Sequence, residues 1–128
     1  MHTECLCSKF FHIAHGILEN KTELGLSDEI FRKVKDLKMN TKKELIKAKA
    51  DIEIIAVDIM ANLCDNSELA EINKLIDKKY TLKKESMKTL VSAFVSLKKM
   101  VSKEQLNKLR AMCKSSARPE QNQKSCCN

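Results

Sequence analysis

The sequence predicts an all-α protein, a long antiparallel helical hairpin with short flanking N- and C-terminal helices. Three observations lead there. Two glycines and one proline in 128 residues leave too few breakers for the turns of a β-fold. Apolar residues recur at steps of three and four over two long stretches, the period of a helix with one buried face. Finally, Ser27 and Ser102 each follow an apolar residue and open an apolar helical run, so two helices start at similarly built corners.

Taken in order, the first predicted helix runs from Cys5 to Leu18 and offers Phe10, Phe11, Ile13 and Ile17 for packing. The second spans Ser27 to Leu63, with Ile30, Val34, Leu37, Thr41, Leu45, Ala48, Ile52, Ile55, Ile59 and Leu63 along one stripe. Cys64-Asp65-Asn66-Ser67 interrupts it, and Asp65 with Glu68 is expected to cap the helix that follows. That helix runs from Ser67 to Val101 and carries Leu69, Ile72, Ile76, Tyr80, Met87, Leu90, Phe94 and Leu97. A loop this short between two long helices makes them antiparallel neighbours. A final helix covers Ser102 to Lys114. Residues 1–116 therefore form a single hairpin domain, and 117–128 a polar tail expected to be flexible, with Pro119 near its start and Cys126 and Cys127 near its end.

The corners have a specific chemistry. In Val101-Ser102-Lys103-Glu104-Gln105-Leu106, the Ser102 hydroxyl can accept from the Gln105 N–H while the Gln105 side chain accepts from the Ser102 N–H, a capping box. Val101 and Leu106 can close over it as a hydrophobic staple, as can Leu26 and Phe31 around Ser27.

The formal net charge is +7, unevenly spread. Residues 51–77 hold seven carboxylates and one lysine, whereas the rest of the chain holds 23 basic and 10 acidic residues. The hairpin thus has an acidic tip and a basic body, and a basic body attracts anionic partners. Nucleic acid is the weakest of these, since neither helix-turn-helix spacing nor a set of base-stacking aromatics is present. No apolar run approaches the roughly 18 residues of a membrane span. Glu4, Lys9, His12 and His15 interrupt the start as a secretory signal. A mature form lacking its signal would be periplasmic, and a complete chain cytoplasmic.

Two long antiparallel helices, with corners of the type Leu-Thr-x-x-Gln, resemble the Spy/CpxP superfamily of periplasmic chaperones and heavy-metal sensor and resistance proteins, the CnrX-like and zinc-resistance-associated proteins among them. Val101-Ser102-Lys103-Glu104-Gln105 matches the later corner, with Ser for Thr, and Leu26-Ser27-Asp28-Glu29-Ile30 the earlier one, with Ile30 where Gln is usual. The likeness covers residues 10–112. It implies a non-enzymatic stress protein, commonly a homodimer of hooked hairpins. Two roles follow from it: binding or sensing a divalent transition metal, or ATP-independent holding of unfolded proteins on a basic and apolar concave face. A membrane-bound stress regulator is a further implied partner.

The residues add their own chemistry to the first role. His12 and His15 are three apart on one helical face, so both imidazoles can reach one ion. Cys5, Cys7 and Cys113 complete the expected ligand set, since an antiparallel hairpin brings Cys113 near the first helix. Imidazole and thiolate together suit Zn, Ni, Cu or Co better than Mg or Ca. For the second role the expected client surface is Leu37, Ile52, Ile55, Ile76 and Phe94 with their lysine borders. Catalysis is not expected. A Cys113 nucleophile with His12 or His15 would have no orienting third group, and two glycines cannot build a phosphate loop.

Overall fold

A computed structural model describes the backbone of residues 3–116 and the side chains of residues 5–112. All secondary structure among them is helical: α1 (Thr3–Glu19), α2 (Lys21–Leu24), α3 (Asp28–Cys64), α4 (Leu69–Met100) and α5 (Lys103–Ser116). The all-α hairpin is as expected, with α3 and α4 packing together. The predicted ends fall within a few residues of those observed, and the single turn of α2 was not expected. No described helix is long and apolar enough to cross a membrane. The tail 117–128, with Cys126 and Cys127, lies outside the described residues.

The chain divides into two compact units. The first joins the residues up to Asn40 with those from Leu90 onward, so it contains α1, α2, the start of α3, the end of α4 and α5. Phe10, Ala14 and Ile17 form the inward face of α1, at the 3-and-4 spacing of a helical stripe. They share the core with Val34, Leu90, Ala93, Leu97, Val101 and Leu109, all buried. Phe10 anchors an aromatic cluster, edge-on to Phe11 at 4.9 Å and tilted against Phe94 at 6.1 Å. A Cβ on Gly16 would sit 3.2 Å from Leu109 Cδ1, so the absent side chain is what lets α1 and α5 approach so closely there.

The expected corners are present and meet each other. Gln105 N–H donates to Ser102 Oγ at 3.0 Å and Ser102 N–H to Gln105 Oε1 at 2.9 Å, the full capping box. At Ser27 only half forms: Ile30 N–H donates to Ser27 Oγ at 3.2 Å, and isoleucine has nothing to return. α2 ends in a Schellman motif, with Gly25 at φ 66°, its N–H on Thr22 and the Leu26 N–H on Lys21. That turn is joined to the later corner by Gln105, whose Nε2 donates to the Leu24 carbonyl at 3.0 Å. Lys108 Nζ donates to the Glu23 carbonyl at 2.6 Å beside it.

The second unit is Thr41–Thr89, the remaining lengths of α3 and α4 with the turn between them. Asp65 and Glu68 do not make that turn by side-chain capping; the backbone does. Asn66 takes the left-handed conformation at φ 56°, with its N–H on Leu63 and the Ser67 N–H on Asn62, a second Schellman motif. Among its described residues this unit fully buries only Thr41, Ile55 and Ile72. Ala48 and Ser86, both small, leave a cavity of about 90 Å³ between the helices. The Ser86 hydroxyl is buried there with no partner among the described residues.

Gln105→Leu, which keeps the bulk and removes the two side-chain hydrogen bonds to Ser102 N–H and the Leu24 carbonyl, is expected to lower stability by about 1–3 kcal/mol, more than the ~1 kcal/mol of Ser102→Ala. Urea denaturation followed by circular dichroism reads both, and equal losses would mean the bond to Leu24 contributes nothing. At the other corner the Lys21 ammonium bonds Asp28 and holds its carboxyl below the ordinary 3.8. The Asp28 contribution is therefore complete above that value and fades as pH falls through the lowered one. Lys21→Met should return the Asp28 titration toward 3.8 in carbon-detected NMR; an unmoved titration would mean that Lys21 is not the cause.

Candidate functional site

Three helices of the first unit leave a groove of about 640 Å³. α1 contributes Leu6, Lys9 and Ile13, one per turn along the edge of its buried face. α4 contributes Val91, Phe94, Val95, Leu97 and Lys98, and α5 adds Leu106, Leu109 and Arg110. The walls are apolar, and the charged lining residues are Lys9, Lys98 and Arg110, with no carboxylate among them. Val91 and Val95 are well exposed although both are large and apolar. The Lys98 ammonium lies 5.4 Å from the centre of the Phe94 ring, covering it with its stem while the charge stays in water.

Most of the expected client surface is elsewhere. Ile55 is buried between α3 and α4, and Leu37 and Ile52 are half-buried on the same inward stripe, so these residues hold the hairpin together. Ile76 is exposed and Phe94 lines the groove, as a client surface requires. Tyr80 was expected on the packing stripe of α4, yet it is well exposed, with the Lys83 and Lys79 ammoniums 5.3 and 5.9 Å from its ring.

The expected metal ligands are distributed as follows. His12 and His15 are exposed on α1, on the side away from Phe10, Ala14 and Ile17. His15 Nε2 lies 3.4 Å from Glu19 Oε1 one turn on, which brings a carboxylate to the same face. Cys5 and Cys7 belong to α1 itself and are half-buried. Cys5 is disulfide-bonded, which withholds its sulfur as a thiolate ligand in this oxidised state. The Cys113 side chain lies outside the described residues. Among the described residues no group of three or more His, Cys, Asp or Glu side chains converges as a metal site.

Two features escaped the sequence reading. The groove is one: its residues were visible as ends of apolar stripes, but only the mutual placement of three helices opens a space between them. The other is a second apolar stripe on α3, through Ile46, Ala50, Ile54 and Val57, exposed on the side opposite the packing stripe. Its 3-and-4 spacing is a signal the sequence does contain.

No protein-family model, curated protein or solved structure matches the chain.

Proposed function

We propose that this chain is a non-enzymatic, ATP-independent holding protein that captures unfolded polypeptide on the groove of its first unit. One observation carries the reading: the groove has apolar walls and three cations, Lys9, Lys98 and Arg110, with no carboxylate among its lining residues. Apolar walls take up side chains that an unfolded client exposes, through the non-directional hydrophobic effect. Cations at their edge favour segments in which those side chains neighbour Asp or Glu, and long-range attraction speeds encounter. Nothing in such a site selects one sequence, as suits a holder of many clients. On this reading the protein is a stress protein of the periplasm.

A second reading is metal binding or sensing at α1. His12 and His15 share an exposed face three residues apart, with Glu19 already against His15. Two imidazoles on one face suit Zn, Ni, Cu or Co, with the remaining ligands to come from outside the described side chains or from solvent.

For holding, the measurement is light scattering from heat-unfolded malate dehydrogenase with the chain added and no nucleotide present. The wild type should suppress aggregation near stoichiometric amounts. Lys98→Glu/Arg110→Glu, at exposed positions, should keep its helicity and lose most of the effect. No suppression by the wild type, or full suppression by the variant, would sink the reading. For metal, isothermal titration with each of the four ions should give a fixed stoichiometry that His12→Ala/His15→Ala abolishes; an unchanged isotherm removes α1 as the site.

A further inference from the structure

Every polar side-chain atom lining the groove of the first unit is a hydrogen-bond donor. Lys9, Lys98 and Arg110 carry N–H groups and no acceptor, and the other lining side chains are Leu, Ile, Val and Phe. The walls are the helices α1, α4 and α5, whose main-chain carbonyls are engaged in their own hydrogen bonds. A ligand that buries N–H or O–H groups there leaves them without partners, which costs more than the apolar contact around them returns. An unfolded polypeptide avoids that cost by inserting side chains while its backbone stays in water. A ligand that lies along the groove at full length needs a body free of donors and a head that accepts.

The charges set the sign of that head. Each wall supplies one cation, Lys9 from α1, Lys98 from α4 and Arg110 from α5, and all three are exposed. Among the described residues none of them is paired with a carboxylate. Arg110 Nη1 lies 3.5 Å from the neutral Asn107 Oδ1, and the Lys98 ammonium lies over the Phe94 ring. An anionic head therefore finds three cations around the groove and no competing anion, and bonds to such donors are the stronger kind. Between the cations, Leu6, Ile13, Phe94 and Leu109 offer buried or half-buried apolar surface to a hydrocarbon chain. The volume of about 640 Å³ is in the range of small-molecule sites.

We propose that the groove is a binding site for a free long-chain fatty acid, with its carboxylate held by the cations of the three walls and its chain on the apolar lining. Ionised, such a molecule has no donor anywhere, carries one negative charge and is otherwise methylene, so it matches the lining group for group. Affinity comes from the methylenes buried, and the cations select an anionic head over a neutral or positive one. The site stands whether or not the groove also holds polypeptide, and its test contains no client.

The measurement is isothermal titration of the full chain with sodium laurate, kept below its micelle concentration. One laurate should bind per chain. Full burial of a methylene is worth about fourfold in affinity, so octanoate, four methylenes shorter, should bind at least about tenfold more weakly even in an open groove. Dodecyltrimethylammonium, with the same chain length and a positive head, should not bind. Lys98→Gln/Arg110→Gln and Val95→Asp, all at exposed positions, should keep their helicity and raise the laurate Kd at least about tenfold. Val57→Asp, on the exposed stripe of α3 in the second unit, should bind laurate as the wild type does. Absence of saturable laurate binding, or equal binding of the cationic amphiphile, overturns the proposal. So does a Kd that Val57→Asp moves as far as the groove variants do, since laurate would then be coating apolar surface at large. A chain that sediments with phosphatidylglycerol vesicles yet takes up no free laurate overturns it in favour of a lipid surface.

Discussion

The first unit depends on one side chain that meets two obligations at once. A helix start leaves N–H groups without partners and a helix end leaves carbonyls without them. Gln105 answers both: its Oε1 accepts from Ser102 N–H at the start of α5, and its Nε2 donates to the Leu24 carbonyl at the end of α2. Glutamate in the same place would complete the capping box but could not donate to Leu24. The bond spans 81 residues of sequence, so it fixes where α5 lies against the turn that precedes α3. Lys108 repeats the logic one carbonyl earlier, at Glu23. With α5 fixed, Leu109 reaches Gly16 of α1, and Leu106, Leu109 and Arg110 take their places along the groove.

How much of this was legible follows from range. The Ser102 capping box was readable because its two hydrogen bonds close within three residues, where sequence spacing and spatial distance are the same thing. The half-box at Ser27 was readable too, as was its missing half, from Ile30. The helix ends were less so: Asp65 and Glu68 suggested a side-chain cap, yet the turn uses backbone bonds around Asn66 in a left-handed conformation. Asparagine adopts that conformation at low cost but does not announce it. The bond from Gln105 to Leu24 could not be read at all, since nothing local pairs those residues.

The candidate sites divide in the same way. His12 and His15 share a face because their spacing alone dictates it, and the structure places them on that face. Whether Cys113 joins them is a tertiary question, and Cys5 already has its sulfur engaged in a disulfide. For the client surface, a stripe of Leu37, Ile52 and Ile55 says only that this side of α3 is buried by something. The sequence reading assigned it to clients, whereas α4 occupies it. A helix with one stripe offers one surface. With that stripe taken, the apolar surface that the proposed holding function can use is the groove.

That outer face also explains how the second unit is built. Two helices side by side can bury only the strip where they touch, and the Thr41–Thr89 unit accordingly encloses little beyond Ile55 and Ile72. Its helices are therefore held largely by the propensity of Lys-, Glu-, Ala- and Leu-rich sequence, and isolated helices on propensity alone are marginal in water. Soluble chains usually place charge on a face that meets only water, and α3 does so at residues such as Lys49 and Asp51 beside the stripe. Between them run Ile46, Ile54, Val57 and Met60, β-branched or flexible apolar residues with no gain to offer a lone hairpin. Their cost becomes stabilisation only when that face is covered.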